Sequence, residues 1–281
     1  MTDTQPTMPA RFDLPARTAS GIVMGLAAVA AVIYGGIFFA CFVALGAVAA
    51  LGEWHRLVNG GHLARETIPT ALAVLAGVWL TRFQSGFTWP LVAILLGGGG
   101  AALVSAMRGL PVRWPIGWHA FGALYVGLPV LALVMLRDAP RGAAIVGALF
   151  VAVWSADTGA LLIGGLIGGP KLAPVLSPNK TWAGFLGGTI AAAIGEALYV
   201  AFLGGNVPDA VAFGIFLALA GHCGDLFESW VKRQFRAKNT GRLIPGHGGI
   251  LDRIDSVLFA APLCAGLIFL AGFNPLNGIG P

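Results

Sequence analysis

Nine apolar windows, at about 20–34, 36–51, 67–81, 88–107, 116–136, 142–167, 183–204, 208–224 and 254–273, leave this chain little from which a water-soluble domain could be built. Roughly 20 apolar residues in a helix cross a bilayer core, and a backbone inside lipid must satisfy its own N–H and C=O groups. The expected fold class is therefore all-α: a polytopic membrane helix bundle of about nine transmembrane helices. A mean hydropathy of +0.83, with only 10% charged residues, excludes an ordinary soluble globular domain. Several windows are short, so tilting or local thinning of the bilayer must be tolerated. The first two come from one long apolar run, which we divide at Tyr34-Gly35-Gly36. The 42 glycines sit among Ala, Leu, Val and Ile, as where membrane helices approach closely. The run Gly97–Gly100 reads as a helix interior or a break; no lysine follows it, so it is not a phosphate loop. Cys41, Cys223 and Cys264 form no metal or disulfide pattern and read as small apolar residues.

Residues 1–19 are polar, contain Pro6, Pro9, Pro15, Arg11 and Arg17, and read as a cytoplasmic tail. No cleavable signal peptide is expected. Residues 20–281 form a single integral-membrane domain. With the N-terminus inside, 14 of the 17 Lys and Arg residues fall in inside segments, leaving only Arg82, Arg137 and Arg141 outside. That asymmetry supports nine spans, N-terminus cytoplasmic and C-terminus outside. It places both charged segments, 168–182 and 225–253, on the side where soluble nucleotides are found.

Ten of the chain's 29 charged residues lie between Asp225 and Asp255. Charges this close to hydrocarbon need a compensating partner, and metal ions or phosphates supply one. If helix continues past Gly224, then Asp225, Glu228, Ser229, Lys232 and Arg233 recur at spacings of three and four and share a face. Such a face is either a solvated amphipathic helix with internal ion pairs or part of a site. Asp252 and Asp255 form an i, i+3 pair at the start of the last window. Carboxylates converging from the ends of neighbouring helices would suit a hard divalent cation, Mg2+ before others. No Cys/His set favours zinc. Between them, Pro245-Gly246-His247-Gly248-Gly249 offers free backbone N–H groups to phosphate oxygens, or is a tight loop whose histidine caps a helix.

A second polar island, Lys171 to Trp182, holds Ser177, Asn179, Lys180 and Thr181 just before a span. A capped helix N-terminus beside a lysine can cradle phosphate. Asp157 sits well inside the sixth window and is a functional candidate as a metal ligand, a partner of a cation or a lining residue. Glu196 in the seventh window has no motif around it. Glu53, Trp54 and His55, at the end of the second window, read as interfacial anchors.

The segment GDLFESWVKRQFRAKNTGRLIPGHGGILDRIDS resembles the signature of the phosphatidate cytidylyltransferases, or CDP-diacylglycerol synthases. The matching residues are Ser229, Lys232-Arg233, Lys238-Asn239, Pro245, His247-Gly248-Gly249 and Asp252-Arg253-x-Asp255. Asn239 stands where that pattern has Asp. Ser177–Trp182 and Asp157-Thr158-Gly159-Ala160 resemble the family's second block, with Gly165 in place of an expected Arg and Ala183 in place of an expected acid. The resemblance spans about 155–255, the expected catalytic region.

The resemblance implies that CTP and phosphatidate react to give CDP-diacylglycerol and pyrophosphate, at the cell's inner membrane and on its cytoplasmic face. It implies Mg2+, with or without a second cation, and a homodimer; nucleic acid is not an expected partner. On this reading Asp225 and Asp252 are leading metal ligands, joined by Asp255 and Asp157. Lys180, Lys232 and Arg233 hold phosphates. Ser177, Asn179, Ser229 and His247 orient the reactants, and Lys238 and Arg253 complete the substrate contacts. The phosphatidate phosphomonoester is already ionised, so no general base is needed. A polytopic transporter or lipid flippase is the alternative, disfavoured because polarity gathers at one membrane face and not at the midplane. A CDP-alcohol phosphatidyltransferase would need an Asp-Gly-x-x-Ala-Arg block, which is absent.

Overall fold

The computed structural model describes residues 14–62, 64–83, 86–108, 116–241 and 248–277, with side-chain surroundings from Gly21 onward. Within them the chain forms α1 (Leu14–Tyr34), α2 (Gly36–Val58), α3 (Thr67–Phe83), α4 (Thr88–Met107), α5 (Gly117–Asp138), α6 (Gly142–Ile167), β1 (Lys171–Ala173), β2 (Ser177–Thr181), α7 (Trp182–Leu203), α8 (Val207–Gln234) and α9 (Leu251–Phe269). Six of these helices, α2 and α4 to α8, are long and apolar enough to cross a bilayer. The apolar part of α1 and all of α3 are shorter. α9 carries Asp252, Arg253 and Asp255 in its opening turns.

The break between α1 and α2 falls at Gly35, whose φ of 61° is easy only for glycine. A Cβ there would collide with the Arg137 guanidinium, which donates from Nε to the Val32 carbonyl at 2.7 Å and so caps the end of α1. The Gly97–Gly100 run lies inside α4; a Cβ on Gly97 would collide with Ala73 of α3, and one on Gly98 would stand 2.9 Å from the Ala120 carbonyl oxygen of α5. Small residues thus bring α3, α4 and α5 into backbone contact.

One element departs from an all-helical expectation. β1 and β2 pair antiparallel, with Lys171 opposite Thr181 and Ala173 opposite Ser177. Pro170, Pro174 and Pro178 deny this segment continuous helical hydrogen bonding, and Leu176 N–H closes the turn on the Ala173 carbonyl at 3.2 Å. Thr181 caps α7 through its side chain, accepting from Gly184 N–H at 3.0 Å.

The end of α2 does not anchor at the interface. Trp54 is completely buried; its indole N–H donates to the Trp118 carbonyl at 3.0 Å and its ring packs on Tyr125, centroids 4.9 Å apart. Phe121, Phe227, Trp230 and Phe259 extend this aromatic layer between α5, α8 and α9. His55 is equally buried, its Nδ1 3.1 Å from Nδ1 of His119. The aromatic layer forms a rigid floor beneath the ends of α8 and α9.

Candidate active site

α8 continues without interruption from its apolar half into Asp225, Glu228 and Lys232. Their three- and four-residue spacing places them on one face. α9 opens with Asp252 and Asp255 one turn apart. The two helices touch closely: a Cβ on Gly224 would collide with the Asp255 carbonyl oxygen. On the other side, a glycine seam draws α6 and α7 together, where a Cβ on Gly188 would stand 2.6 Å from the Ala156 carbonyl oxygen and 3.1 Å from the His222 ring. Asp157, next to Ala156 on α6, thereby reaches the same space.

That space is a cavity of about 800 Å3. Asp157, Ser177, Asn179, Lys180, Asp225, Lys232, Asp252, Arg253 and Asp255, all singled out from the sequence, line it, together with Glu228, Asn239 and His222. Gly165 also lines it, with open space where a side chain would project. Five carboxylates face three Lys and Arg side chains among the lining residues, a deficit of two positive charges at full ionisation.

The convergent set is Asp225, Glu228 and Asp255, each of which offers one carboxylate oxygen within 4.8 Å of those of the other two. Lys180 Nζ pairs with Asp225 Oδ2. Lys232 Nζ donates to Glu228 Oε2 at 2.7 Å and to Asp252 Oδ1 at 2.9 Å. Glu228 Oε1 is buried and has no hydrogen-bond partner among the described residues. An all-oxygen donor set with an orphaned buried oxygen and a deficit of two charges fits a hard divalent cation.

Asp252, expected as a leading ligand, is not in this trio. Its Oδ2 accepts Gly249 N–H at 2.9 Å and Thr240 N–H at 3.1 Å, and its Oδ1 takes Lys232, so its oxygens are directed at protein donors. Arg233 turns away from the cavity and donates from Nε to the Leu176 carbonyl at 3.3 Å, tying α8 to the hairpin turn. Half-buried Ser229 and exposed Lys238 do not line the cavity. His247, with Pro245 and Gly246, lies outside the described residues.

Sequence reasoning placed Glu228 on the right helical face but did not carry it into the metal set; its i, i+3 relation to Asp225 was the available signal. It also missed Glu53. That carboxylate, 6% exposed, accepts Ile250 N–H at 3.0 Å, Leu251 N–H at 2.9 Å and the Thr240 hydroxyl at 3.3 Å.

Residues 15–271 match the cytidylyltransferase family. The chain is 38% identical over 256 residues to a phosphatidate cytidylyltransferase of Brucella suis biovar 1 (strain 1330), covering 89% of this chain and 92% of that protein. It is 33% identical over 259 residues to one from Staphylococcus haemolyticus (strain JCSC1435), covering 88% and 96%. It is 36% identical over 230 residues to one from Rickettsia bellii (strain RML369-C), covering 75% and 95%.

Proposed function

The chain belongs to the cytidylyltransferase family, and from that membership and the residues of the cavity we infer that it transfers a cytidylyl group from CTP to phosphatidate, giving CDP-diacylglycerol and pyrophosphate. It is a membrane-bound nucleotidyltransferase of phospholipid biosynthesis. The transporter alternative falls with that membership.

The chemistry sets the demands on the site. A phosphatidate oxygen attacks the α-phosphorus of CTP, a P–O bond forms, and the bond to the β-phosphate breaks to release pyrophosphate. Two polyanions must meet, so positioning and charge neutralisation dominate. Asp225, Glu228 and Asp255 would hold the divalent cation, Mg2+ in our reading, with Asp157 at the same cavity. That ion would supply Lewis-acid neutralisation of phosphate charge. Lys180 and Lys232 sit at the rim of the trio, already paired with its acids, where each can pass a hydrogen bond to an incoming phosphate oxygen. Asp252 fixes Lys232 in that position. Ser177, Asn179 and Arg253 face the cavity from the hairpin and α9, and the capped start of α7 adds the positive end of its dipole through Thr181 and Gly184. Arg233, through the hairpin turn, holds Ser177 to Lys180 against α8.

The Lys and Arg asymmetry supports nine spans, with the cavity on the cytoplasmic side. The observation that carries the function is the meeting of three carboxylates and two lysines in one cavity. Purified protein given radiolabelled CTP, Mg2+ and phosphatidate in mixed micelles should yield a labelled lipid and pyrophosphate. Protein that leaves the label in CTP under these conditions does not have this activity.

A further inference from the structure

α2 contributes no residue to the cavity wall, yet Glu53, near its C-terminal end, reaches the segment that carries two of the site's acids. Glu53 is buried there against two glycines: a Cβ on Gly241 or on Gly249 would collide with its carboxylate. The donors it collects come from Thr240 on one side of residues 242–247 and from Ile250 and Leu251 on the other. The same short stretches hold Asp252. Thr240 gives its hydroxyl to Glu53 and its N–H to Asp252, while Gly249 N–H goes to Asp252 and the two residues after it go to Glu53. A buried carboxylate sharing backbone donors in this way fixes the start of α9 in both position and direction, because charge-assisted bonds are short and hard to replace.

We propose that Glu53 is a positioning residue of the transferase site, clamping both ends of the segment before α9 and so setting where Asp252 and Asp255 stand relative to α8. The inference rests on the cytidylyl-transfer reading. The hydrogen-bond partners of Glu53 among the described residues, Thr240, Ile250 and Leu251, do not themselves line the cavity, so its effect is transmitted through this backbone. Displacing α9 would spread the trio and loosen Lys232 together, which weakens cation binding and slows the transfer.

The test compares wild type, Glu53→Ala, Glu53→Gln and Thr240→Val in detergent, measuring kcat, KM for CTP, the Mg2+ concentration for half-maximal activity and the thermal unfolding midpoint. Glu53→Ala should lower kcat on the order of 10- to 100-fold and raise the Mg2+ requirement, as loss of a supporting contact does elsewhere. Glu53→Gln keeps one carbonyl oxygen for the backbone donors and should fall between the two. Thr240→Val removes the hydroxyl contact alone, should show a smaller loss in the same direction, and should add little when combined with Glu53→Ala in a double variant. If Glu53→Ala unfolds, Thr240→Val decides: a raised Mg2+ requirement at an unchanged unfolding midpoint supports the clamp, and wild-type kinetics overturn it. Wild-type kinetics in a folded Glu53→Ala overturn it as well. Inactive wild-type protein instead removes the transferase reading, and this inference with it.

Discussion

A buried carboxylate oxygen without a hydrogen-bond partner costs about 1–3 kcal/mol, and among the described residues Glu228 Oε1 is such an oxygen, on a carboxylate that converges with Asp225 and Asp255. Such an arrangement persists when a cation repays it on binding. Glu228→Gln should therefore lower turnover by about 100-fold and raise the Mg2+ concentration for half-maximal activity. Asp252→Asn separates the two roles, because its carboxylate holds Lys232 and two backbone N–H groups. It should raise KM for CTP more than it raises the Mg2+ requirement. Equal shifts of the Mg2+ requirement in both variants would return Asp252 to the ligand set. A different residue governs stability. Glu66 is fully buried in the turn before α3, and Arg108 Nη1 reaches both its oxygens at 3.1 Å while Asn59 Nδ2 donates at 3.0 Å. Burial pushes its carboxyl up, but its own backbone N–H, Asn59 and Arg108 outweigh that and hold it below 4.5. Its contribution is then present above pH 4.5 and lost as pH falls through the lowered value. Arg108→Met should cost about 3 kcal/mol at neutral pH, the low end for a broken buried pair since Arg108 is partly exposed. The gap in unfolding midpoint from wild type should narrow as pH drops and Glu66 is protonated in the variant.

Helix packing decides whether the acids can meet at all. The α8–α9 contact admits no Cβ at Gly224, because the obstacle is the Asp255 backbone and not a flexible side chain. Gly224→Val should push the helices apart by about 1 Å, spread Asp225 and Glu228 from Asp255, and cut turnover by about 100-fold, with membrane insertion retained. A Cβ on Gly266 of α9 would have nothing within 4 Å, so Gly266→Val is the matched control; equal losses in both variants would point to a general intolerance of added side chains in α8 and α9 instead. Helices were legible from the sequence because each carries its own apolar run, and the extension of α8 past Gly224 followed from the three-and-four spacing of its charges. The cluster at its end was legible because charge is rare in this chain. The hairpin was not: its prolines mark an interruption, but a three-residue strand has no period to read. Glu53 was out of reach for another reason. Its partners Thr240 and Leu251 are 187 and 198 residues away, and local pattern carries no information on such contacts.

For the whole molecule, the distribution of charge and the distribution of chemistry coincide. Successive antiparallel helices bring the ends of α2, α6 and α8 and the starts of α3, α7 and α9 to one side, and the cavity, the hairpin and the Glu66–Arg108 pair all lie there. In the orientation proposed above from the Lys and Arg asymmetry, that side would face the cytoplasm. One side must serve two substrates of opposite solubility: CTP arrives from water, and phosphatidate stays in the leaflet with its headgroup at the same depth. The cavity wall on α6 suits this, since Leu161, within a helix long and apolar enough to cross a bilayer, lines the cavity while 75% exposed. Sidedness is then measurable without disturbing the protein. CTP does not cross a sealed bilayer, so inside-out membrane vesicles should convert externally added CTP into labelled lipid, whereas right-side-out vesicles should do so only after permeabilisation. Conversion by intact right-side-out vesicles would reverse the orientation and place the 14 inside cations on the outer face, against the charge rule that assigned them.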